Sequence, residues 1–384
     1  MKIGIMLRHY EQLEGGVKHY TKSLLPKLFT LGSQHQYILV YQNPKLVGTY
    51  AEFPNVREMV VKMPGTVPWD QLAFPWATRH CNLDIVFNPK FTVPLWGRAK
   101  KIWVLHGSEW FVIPKHFTWY DRIYVAASVP VYAHLADAFI SVAKFVKDDM
   151  LKVARIDPNK IFPIYNGIDP KKFYFIDDAE RLQAVKAKYN LPDKYIMWVG
   201  QIGTRKNIQR LLQSFAQIAR EFPHDLVIAG EQRKLQGGKQ ALAEIKQIEQ
   251  LGLGHRIRFL GWVGHDDLPA IYRMADLFSF PSIYEGFGIP LIEAMACGCP
   301  VVSANLGAPP EVCENAAVLV DPYDVEAITA AMRRVLKDSA LREQMIARGL
   351  ERAKHFSWDI CATQVLGVFD YVMRPKGAAQ RARG

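Results

Sequence analysis

The stretch Phe280-Pro-Ser-Ile-Tyr-Glu-Gly-Phe-Gly-Ile-Pro-Leu-Ile-Glu-Ala-Met-Ala-Cys-Gly-Cys-Pro-Val-Val-Ser303 decides the fold of this chain. It continues the apolar run Leu277–Phe280, which Pro281 ends and which is typical of a buried parallel strand. Pro290 can begin a helix, because the N–H that proline lacks has no partner in the first turn of a helix. Gly298 can end that helix, and a β-branched run follows it. The stretch therefore predicts a strand, a glycine loop, a short helix and a second strand.

The predicted glycine loop is suited to a phosphate, because a helix N-terminus has unpaired backbone amides and the positive end of the helix dipole. Gly286 and Gly288 carry no side chain that would keep a phosphate from these amides. Glu285 and Glu293 flank the amides, and carboxylates accept hydrogen bonds from hydroxyl groups. These residue types predict a site for a sugar diphosphate linked to a ribose. The alternative is that Glu293 only complements the helix dipole and that Glu285 lies in a solvated loop.

The residues from Glu285 to Glu293, E-G-F-G-I-P-L-I-E with A-M-A-C-G-C-P-V-V behind them, resemble the E-x7-E signature of the family-4 retaining glycosyltransferases of group 1. The resemblance covers residues 1 to about 371 and is strongest over residues 195–320. It implies the α/β fold called GT-B, in which two Rossmann-like domains face each other across a cleft and a C-terminal helix crosses back to the first domain. It also implies that a hexose is transferred from a nucleotide-diphosphate sugar.

Size and composition agree with a two-domain globular protein. The 384 residues exceed the roughly 250–300 residues at which single cores stop growing. No run approaches the roughly 18–20 apolar residues that span a bilayer, and the N-terminal residues 1–8 are better interpreted as a strand than as a secretory signal. The five cysteines form no C-x-x-C pair, so we expect buried free thiols in a reducing compartment. We therefore expect a cytoplasmic protein.

The net charge of +11 predicts an anionic partner. The sequence has no zinc-finger or RNA-recognition signature and no long polybasic block, which favours a membrane surface or a lipid diphosphate over nucleic acid. Peripheral association with the inner face of the plasma membrane would fit this charge. The helix predicted at Val17–Leu31 carries Lys18, Lys22 and Lys27, and such a helix can lie on anionic lipid. The alternative is that one face packs on a sheet and the basic face is solvated.

The first domain is predicted at residues 1–170, completed by about residues 360–375. Its apolar runs alternate with helical stretches, which predicts a mostly parallel sheet. Gly15 and Gly16 follow the first strand and open a helix, although a tight turn with positive φ is an alternative. His106 ends a later strand, where ligands of parallel sheets bind, and the alternative is a structural histidine. The resemblance implies that the glycine pair approaches the donor phosphates and that His106 lies near the transferred sugar. The aromatic segment Trp110–Tyr132 is a candidate acceptor region or a core of large rings.

The second domain is predicted at residues 171–359, after an irregular linker at residues 170–192. Arg205 and Lys206 lie between a predicted strand and a helix that extends to about Glu221. Adjacent cations at such a turn suit a diphosphate, and the alternative is a solvated charge pair. The resemblance gives both residues the role of stabilising the leaving diphosphate. The family often has arginine directly after the strand glycine, where this chain has Gln201. A polar helix at residues 238–251 and a basic tail at residues 376–384 are also predicted.

The predicted function is that of a retaining, metal-independent hexosyltransferase without a cofactor, whose partners are a nucleotide sugar and a saccharide or lipid-linked saccharide acceptor. The phrase Gly-Thr-Arg-Lys-Asn resembles members that use GDP-mannose in surface-polysaccharide assembly. Alternatives are a UDP-sugar-dependent transferase, a phosphorolytic enzyme and a non-catalytic sugar-nucleotide-binding protein of the same fold. The catalytic candidates are His106, Arg205, Lys206 and Glu285. The donor-binding candidates are Gly15, Gly16, Gly200, Arg205, Lys206, Trp262, Val263, Glu285, Gly286, Phe287, Gly288, Ile289 and Glu293.

Overall fold

The computed structural model describes residues 1–11, 15–113, 118–230, 246–264 and 266–375. The chain divides into two compact units, Met1–Gly167 together with Trp358–Gly384, and Ile168–Ser357. Each unit is built on one sheet of parallel strands, and helices connect the strands. The predicted α/β class with two Rossmann-like folds is therefore confirmed.

The sheet of the first unit has seven strands in the order β3-β2-β1-β4-β5-β6-β7. The strands are β1 Lys2–Met6, β2 Gln36–Tyr41, β3 Val56–Val60, β4 Ile85–Asn88, β5 Lys100–Leu105, β6 Ala138–Ser141 and β7 Ile161–Pro163. The strand order reverses between β1 and β4, where Ile3 pairs with Ile85. Ligands of parallel sheets bind beyond the carboxyl ends of the strands at such a reversal. The segments after β1, β4 and β5 therefore form the candidate ligand edge of this unit.

The longer helices of the first unit are Gly16–Leu31, Trp119–Leu135, Lys144–Val153 and Trp358–Met373. The first of these confirms the helix predicted at Val17–Leu31, with one more residue at its start. Shorter helical segments are Thr66–Pro68, Trp69–Ala73, Phe74–Thr78 and Glu109–Val112, of which Trp69–Ala73 is a π-helix.

The C-terminal helix, Trp358–Met373, follows the second unit in sequence but belongs to the first. Its residue Asp359 pairs with Lys27 at 2.9 Å, and the ring of Phe369 lies 5.5 Å from the ring of Phe87 in β4. The helix therefore packs against both helix Gly16–Leu31 and the sheet. This confirms the prediction that the chain returns to its first domain.

The sheet of the second unit has six strands in the order β10-β9-β8-β11-β12-β13. The strands are β8 Tyr195–Val199, β9 Asp225–Ala229, β10 Ile257–Gly261, β11 Leu277–Phe280, β12 Val301–Ala304 and β13 Ala317–Val320. Strands β11 and β12 are buried along their whole length, as their apolar sequences predict. The order reverses between β8 and β11, so the segments after these two strands form the candidate ligand edge of this unit.

The α-helices of the second unit that lie wholly within the described residues are Ala179–Lys188, Ile208–Glu221, Leu268–Met274, Ile289–Ala296, Pro309–Cys313, Val325–Lys337 and Ser339–Ala353. The first of these corrects the prediction of an irregular linker at residues 170–192. Asp178 caps that helix by accepting a hydrogen bond from Arg181 N, and Lys188 pairs with Asp267 at 2.7 Å. The helix predicted at residues 238–251 lies mostly outside the described residues, and the tail at 376–384 lies wholly outside them.

Candidate active site

Three neighbouring strands of the second unit end in glycines with positive φ. Gly200, Gly230 and Gly261 follow or end β8, β9 and β10, with φ values of 152°, 145° and 67°. Gly200 N donates to Ala229 O at 3.0 Å, and Gly230 N donates to Gly261 O at 2.8 Å. A Cβ atom on Gly230 would lie 1.8 Å from Gly200 O, so only glycine fits there. This packing holds the predicted donor-binding residue Gly200 at the ligand edge of the sheet.

The turn Thr204–Lys206 places the two predicted cations directly after β8. Asn207 ends this turn in the left-handed conformation, with φ 57°, and helix Ile208–Glu221 begins after it. The buried Asn207 amide donates to Pro281 O at 2.9 Å and to Pro322 O at 2.6 Å. The turn is therefore tied to the loop after β11 and to the loop after β13.

Arg205, Lys206 and Glu285 form one ion cluster. Lys206 Nζ lies 2.7 Å from Glu285 Oε1, and Arg205 Nη1 lies 3.2 Å from the same oxygen. Arg205 Nη1 also donates to Tyr284 O at 2.7 Å, and Lys206 Nζ lies 4.4 Å from the centroid of the Phe280 ring. The structure thus brings together three of the four catalytic candidates, across 79 residues of sequence.

Electrostatics in this cluster favour a bound anion. Burial of Glu285 would by itself raise the pKa of its carboxyl group, but Lys206 and Arg205 outweigh burial and hold that pKa below its ordinary value. Burial lowers the pKa of Lys206, and Arg205 lowers it further, while Glu285 acts in the opposite direction. One carboxylate therefore faces two cations at a poorly solvated position. A diphosphate there would meet a net positive charge that water screens only weakly.

The predicted glycine loop and helix start are present beside this cluster. The signature helix, Ile289–Ala296, begins after Gly288, which has φ 91°, and Pro290 lies in its first turn. A Cβ atom on Gly288 would lie 2.7 Å from Leu291 Cδ1. Gly298, with φ 72°, follows the end of the helix as predicted. Because Gly288 has no side chain, the N-cap offers no side-chain acceptor to the first amides, which can face a phosphate.

Glu293 lies in the middle of the signature helix and is buried, with 5% of its surface exposed. Burial raises the pKa of its carboxyl group to about 7, and a hydrogen bond from Tyr272 Oη at 3.2 Å opposes this rise. The alternative role of Glu293, complementing the helix dipole, suits an exposed glutamate in the first turn of a helix. Glu293 is instead buried in the middle of the helix, so this alternative does not describe it. Glu285 is also buried, so the alternative of a solvated loop is wrong for it.

The loop after β12 supports the backbone of Glu285. Ala308 N donates to Glu285 O at 3.0 Å, and Gly307 adopts φ 76° next to it. A Cβ atom on Gly307 would lie 3.0 Å from the same carbonyl oxygen. Any larger residue at position 307 would therefore push against the residue that carries the cluster.

The remaining candidates of the second unit lie at its ligand edge. Trp262 follows β10 and has 52% of its surface exposed, whereas Val263 beside it is buried. Phe287 is buried, with its ring edge-on to Phe356 at 5.7 Å, so its side chain packs in the unit and only its backbone can serve a ligand. Gln201 is exposed after Gly200.

Three candidates lie in the first unit. His106 follows β5, its Nε2 lies 2.6 Å from Pro89 O, and its ring is edge-on to Tyr20 at 4.9 Å. Because a carbonyl oxygen only accepts, Nε2 carries the proton and Nδ1 is left as an acceptor. Burial lowers the pKa of His106 to about 4, so the ring is neutral at pH 7. Gly15 and Gly16 are exposed at the start of helix Gly16–Leu31, and Gly15 has an extended φ of 177°, so no positive-φ turn explains it.

The aromatic segment Trp110–Tyr132 divides into core and surface. Tyr132 is buried, and the Phe91 ring lies within 6.5 Å of the rings of Trp110, Tyr124 and Tyr132. Trp119 and Tyr120 are exposed, at 72% and 57%. Phe117 lies outside the described residues.

Two family models match the chain: Glycosyl transferases group 1 over residues 181–352, and Glycosyltransferase Family 4 over residues 14–172. The chain is 31% identical over 299 residues to the O-antigen chain mannosyltransferase B of Escherichia coli, and the alignment covers 77% of this chain and 76% of that protein. The chain belongs to the group 1, family 4 glycosyltransferases.

Another sequence relative and a solved structure are also similar to this glycosyltransferase. The serotype-specific mannosyltransferase WbdA of Escherichia coli is 31% identical over 229 residues, which cover 58% of this chain and 27% of that longer protein. The solved structure of sucrose-phosphate synthase from Thermosynechococcus elongatus superposes with a TM-score of 0.79 at 21% identity, covering 97% of this chain and 98% of that chain. At that identity the likeness shows a shared fold.

Two residues support the candidate site but have no predicted role from the sequence. Asn207 is the last residue of the phrase Gly-Thr-Arg-Lys-Asn, and an asparagine before a helix is a candidate for the left-handed conformation. Gly307 gave no local signal beyond its place in a loop, because its role depends on Glu285 approaching from another segment. Within the described ranges, no cluster of three His, Cys, Asp or Glu residues is arranged to hold a metal ion, and no helix is long and apolar enough to span a membrane.

Proposed function

We propose that this glycosyltransferase moves mannose from GDP-mannose to a saccharide or lipid-linked saccharide, with retention at the anomeric carbon and without a metal ion, in surface-polysaccharide assembly. The cluster of Arg205 and Lys206 on Glu285, beside the uncapped signature helix, carries the proposal. The mannosyltransferase names of the relatives at 31% identity, together with the phrase Gly-Thr-Arg-Lys-Asn, favour mannose as the sugar.

The leaving diphosphate is the group that most needs stabilisation, because negative charge develops on it as the sugar departs. In this proposal Arg205, Lys206 and the amides of Gly286–Ile289 supply that stabilisation, which their positions after β8 and at the start of the signature helix support. Without ligand, Glu285 neutralises part of this charge. When a diphosphate binds, Arg205 and Lys206 pair with it in place of Glu285. The carboxylate of Glu285 then accepts hydrogen bonds from hydroxyls of the donor sugar.

The other candidates have supporting roles in this proposal. Glu293 accepts hydrogen bonds from the ribose hydroxyls, and Trp262 and Val263 contact the base. In the first unit, Gly15 and Gly16 serve the donor phosphates, and His106 Nδ1 accepts a hydrogen bond from a sugar hydroxyl.

The transfer needs no protein nucleophile. The acceptor oxygen forms a bond to the anomeric carbon on the face from which the phosphate oxygen leaves. The bond between the anomeric carbon and that phosphate oxygen breaks, and the acceptor proton passes to the departing diphosphate. We place the reaction on the cytoplasmic side of the membrane, in keeping with five cysteines that are all free thiols.

Thermal shift with GDP-, UDP- and ADP-sugars, each beside its free nucleotide, tests the donor, because a ligand of the native state raises its stability. We expect a selective shift with GDP-mannose, and a selective shift with a UDP-sugar would overturn the choice of donor.

Release of GDP with a lipid-linked acceptor then tests turnover. Glu285→Ala should abolish transfer, whereas Glu343→Ala, an exposed glutamate on helix Ser339–Ala353, should not. Near-normal turnover of Glu285→Ala would refute the site, and donor binding without turnover in wild type would indicate a binding protein.

A further inference from the structure

A buried ion pair lies in the first unit, apart from the cluster of Arg205, Lys206 and Glu285 in the second. Arg8 follows β1, and its Nε lies 3.4 Å from Asp70 Oδ1. Both side chains are buried, with 7% and 2% of their surfaces exposed. Removing two charges from water costs about as much as their attraction returns, so such a pair is weak evidence of a purely stabilising role.

Two unusual backbone features hold Asp70 in this position. Asp70 lies in the π-helix Trp69–Ala73, a form that is frequent at functional sites. Thr92 Oγ1 donates to Asp70 Oδ2 at 2.8 Å, and Thr92 has φ 121°, which a β-branched residue adopts only at a cost in energy. Asn88, at the end of β4, supports Thr92, because its Nδ2 donates to Thr92 O at 2.8 Å. Backbone strain of this kind is concentrated at active sites and ligand sites.

Lys90 adds a second cation between this pair and His106. The carbonyl oxygen of Pro89, the residue before it, lies 2.6 Å from His106 Nε2. Burial and Arg8 lower the pKa of the Lys90 ammonium group, whereas Asp70 raises it. Lys90 in turn adds to the effect of burial in lowering the pKa of His106. The Lys90 ammonium group therefore lies within electrostatic reach of the ion pair and of the histidine.

We call Arg8, Asp70 and Lys90 the first-unit cluster. Arg8 follows β1 and Lys90 follows β4, and the strand order of the sheet reverses between these two strands. His106 follows β5, the next strand along the sheet. Because ligands of parallel sheets bind beyond the carboxyl ends of the strands at such a reversal, the cluster lies where a ligand of this unit is expected.

The charge of the first-unit cluster favours an anion. Two cations face one carboxylate, and Lys90 is half-buried, so water screens its charge less than that of a surface lysine. Arginine and lysine are the side chains that bind phosphate and carboxylate groups. Nearly all of the net charge of +11 belongs to the first unit, which attracts an anionic ligand to it.

The acceptor is the substrate that this cluster suits. In the proposed function the donor diphosphate already has two cations, Arg205 and Lys206, in the second unit. Aromatic rings accompany the first-unit cluster: Phe91 follows Lys90 directly, and its ring lies 6.2 Å from the ring of Tyr124. Both rings are half-buried, and such rings can pack on the apolar face of a sugar. An anion and a sugar ring together describe a charged saccharide.

We propose that Lys90 and Arg8 bind an anionic group of the acceptor and that Asp70, held by Thr92, positions these two cations. The anionic group is a phosphate that links the saccharide to its carrier or a carboxylate of an acidic sugar. The proposal rests on the proposed function, because it describes the acceptor of that reaction. It adds a requirement for negative charge on the acceptor and names the residues that recognise it.

Calorimetric titration of three probes, without donor, tests the proposal. The probes share an octyl chain and differ in charge: octyl mannoside is neutral, mannosyl octyl diphosphate carries a diphosphate, and octyl glucuronide carries a carboxylate. We expect wild type to bind at least one charged probe about tenfold or more tightly than octyl mannoside, because hydrogen bonds to charged groups are stronger than neutral ones. Preference for the diphosphate assigns the anion to the carrier link, and preference for the glucuronide assigns it to an acidic sugar.

Variants then assign the preference to the cluster. Lys90→Gln should weaken binding of the charged probe by about tenfold or more and leave the Kd of octyl mannoside unchanged. The matched control Lys45→Gln, which removes an exposed lysine of the same unit, should keep the preference. Lys206→Ala, which removes a cation of the second unit, should keep it as well. Circular dichroism and the thermal shift with GDP-mannose should be the same for Lys90→Gln as for wild type.

The proposal is overturned if wild type binds the three probes equally or binds none of them, or if Lys90→Gln keeps the preference. It is also overturned if Lys206→Ala loses the preference, because the charged probe would then occupy the donor site. A smaller shift of Lys90→Gln with GDP-mannose would assign Lys90 to the donor and overturn the proposal too. The titrations need neither donor nor turnover, so failure of the transfer assay would count against the proposed function without obscuring their result.

Discussion

Donor binding should depend on pH through Glu293. Burial raises the pKa of this carboxyl group from an ordinary value of 4.5 to about 7, and the hydrogen bond from Tyr272 opposes the rise. As a carboxylate, Glu293 can accept from both ribose hydroxyls, whereas the protonated acid loses part of that capacity. Raising the pH through 7 should therefore strengthen binding of the nucleotide sugar.

The magnitude follows from the titration of one group. With a pKa of about 7, the ionised fraction rises from roughly one tenth at pH 6 to roughly nine tenths at pH 8. If the ionised form alone binds the ribose, the Kd falls about tenfold over this range, or about 1.4 kcal/mol. The free energy of unfolding should change in the opposite direction. Because the folded-state pKa is raised, the contribution of the protonated group is full below about pH 4.5 and decreases by about 3 kcal/mol as pH rises through 7.

Calorimetric titration with GDP-mannose between pH 6 and pH 8 measures the effect. The nucleotide sugar is preferable to free GDP, whose terminal phosphate itself titrates near pH 6, at about the second pKa of a phosphate monoester. Glu293→Gln should give a flat profile, and Tyr272→Phe should move the midpoint to higher pH, because it removes the bond that lowers the pKa. A flat profile in wild type, or a tenfold change that persists in Glu293→Gln, would refute the assignment of Glu293 to the ribose.

Further predictions concern the cluster and the glycines. Lys206→Ala should reduce kcat by about 100-fold or more, measured as GDP release, because it removes a cation from the leaving group; a loss confined to KM would contradict that role. Asn207→Ala should lower the free energy of unfolding by about 2 kcal/mol or more in urea, since two buried carbonyls lose their donor, and an unchanged value would show that the tie is dispensable. Gly230→Ala should prevent native folding or cost about 4 kcal/mol or more, because its Cβ would overlap a carbonyl oxygen. Gly367→Ala, in a helix with open space around it, should instead stabilise by about 0.5–1 kcal/mol, and equal thermal midpoints for the two variants would contradict the steric argument.

Local signals in the sequence were sufficient for the signature stretch. Pro290 and Gly298 determine where a helix begins and ends through their own backbone preferences, and the apolar runs on either side are long enough to mark buried strands. The position of Arg205 and Lys206 between a strand and a helix likewise follows from the residues next to them in sequence.

Long-range contacts explain what the sequence did not show. Asn207 bonds to carbonyls 74 and 115 residues away, and neither partner is recognisable from its neighbours. The helix Ala179–Lys188 consists mostly of good helix formers, so local propensity favours it, but the sequence does not show its long-range support, the pair of Lys188 with Asp267, 79 residues later. The raised pKa of Glu293 likewise depends on burial among segments that the sequence does not bring together.

The position of the C-terminal helix has a consequence for the order of synthesis. The second unit is one continuous segment, whereas the first unit needs residues from both ends of the chain. A ribosome that has released residues 1–167 has not yet made the helix that packs on Gly16–Leu31. The second unit can therefore complete its folding first, and the N-terminal unit waits for the last helix to leave the exit tunnel. A stop codon before Trp358 would consequently damage the beginning of the protein rather than its end.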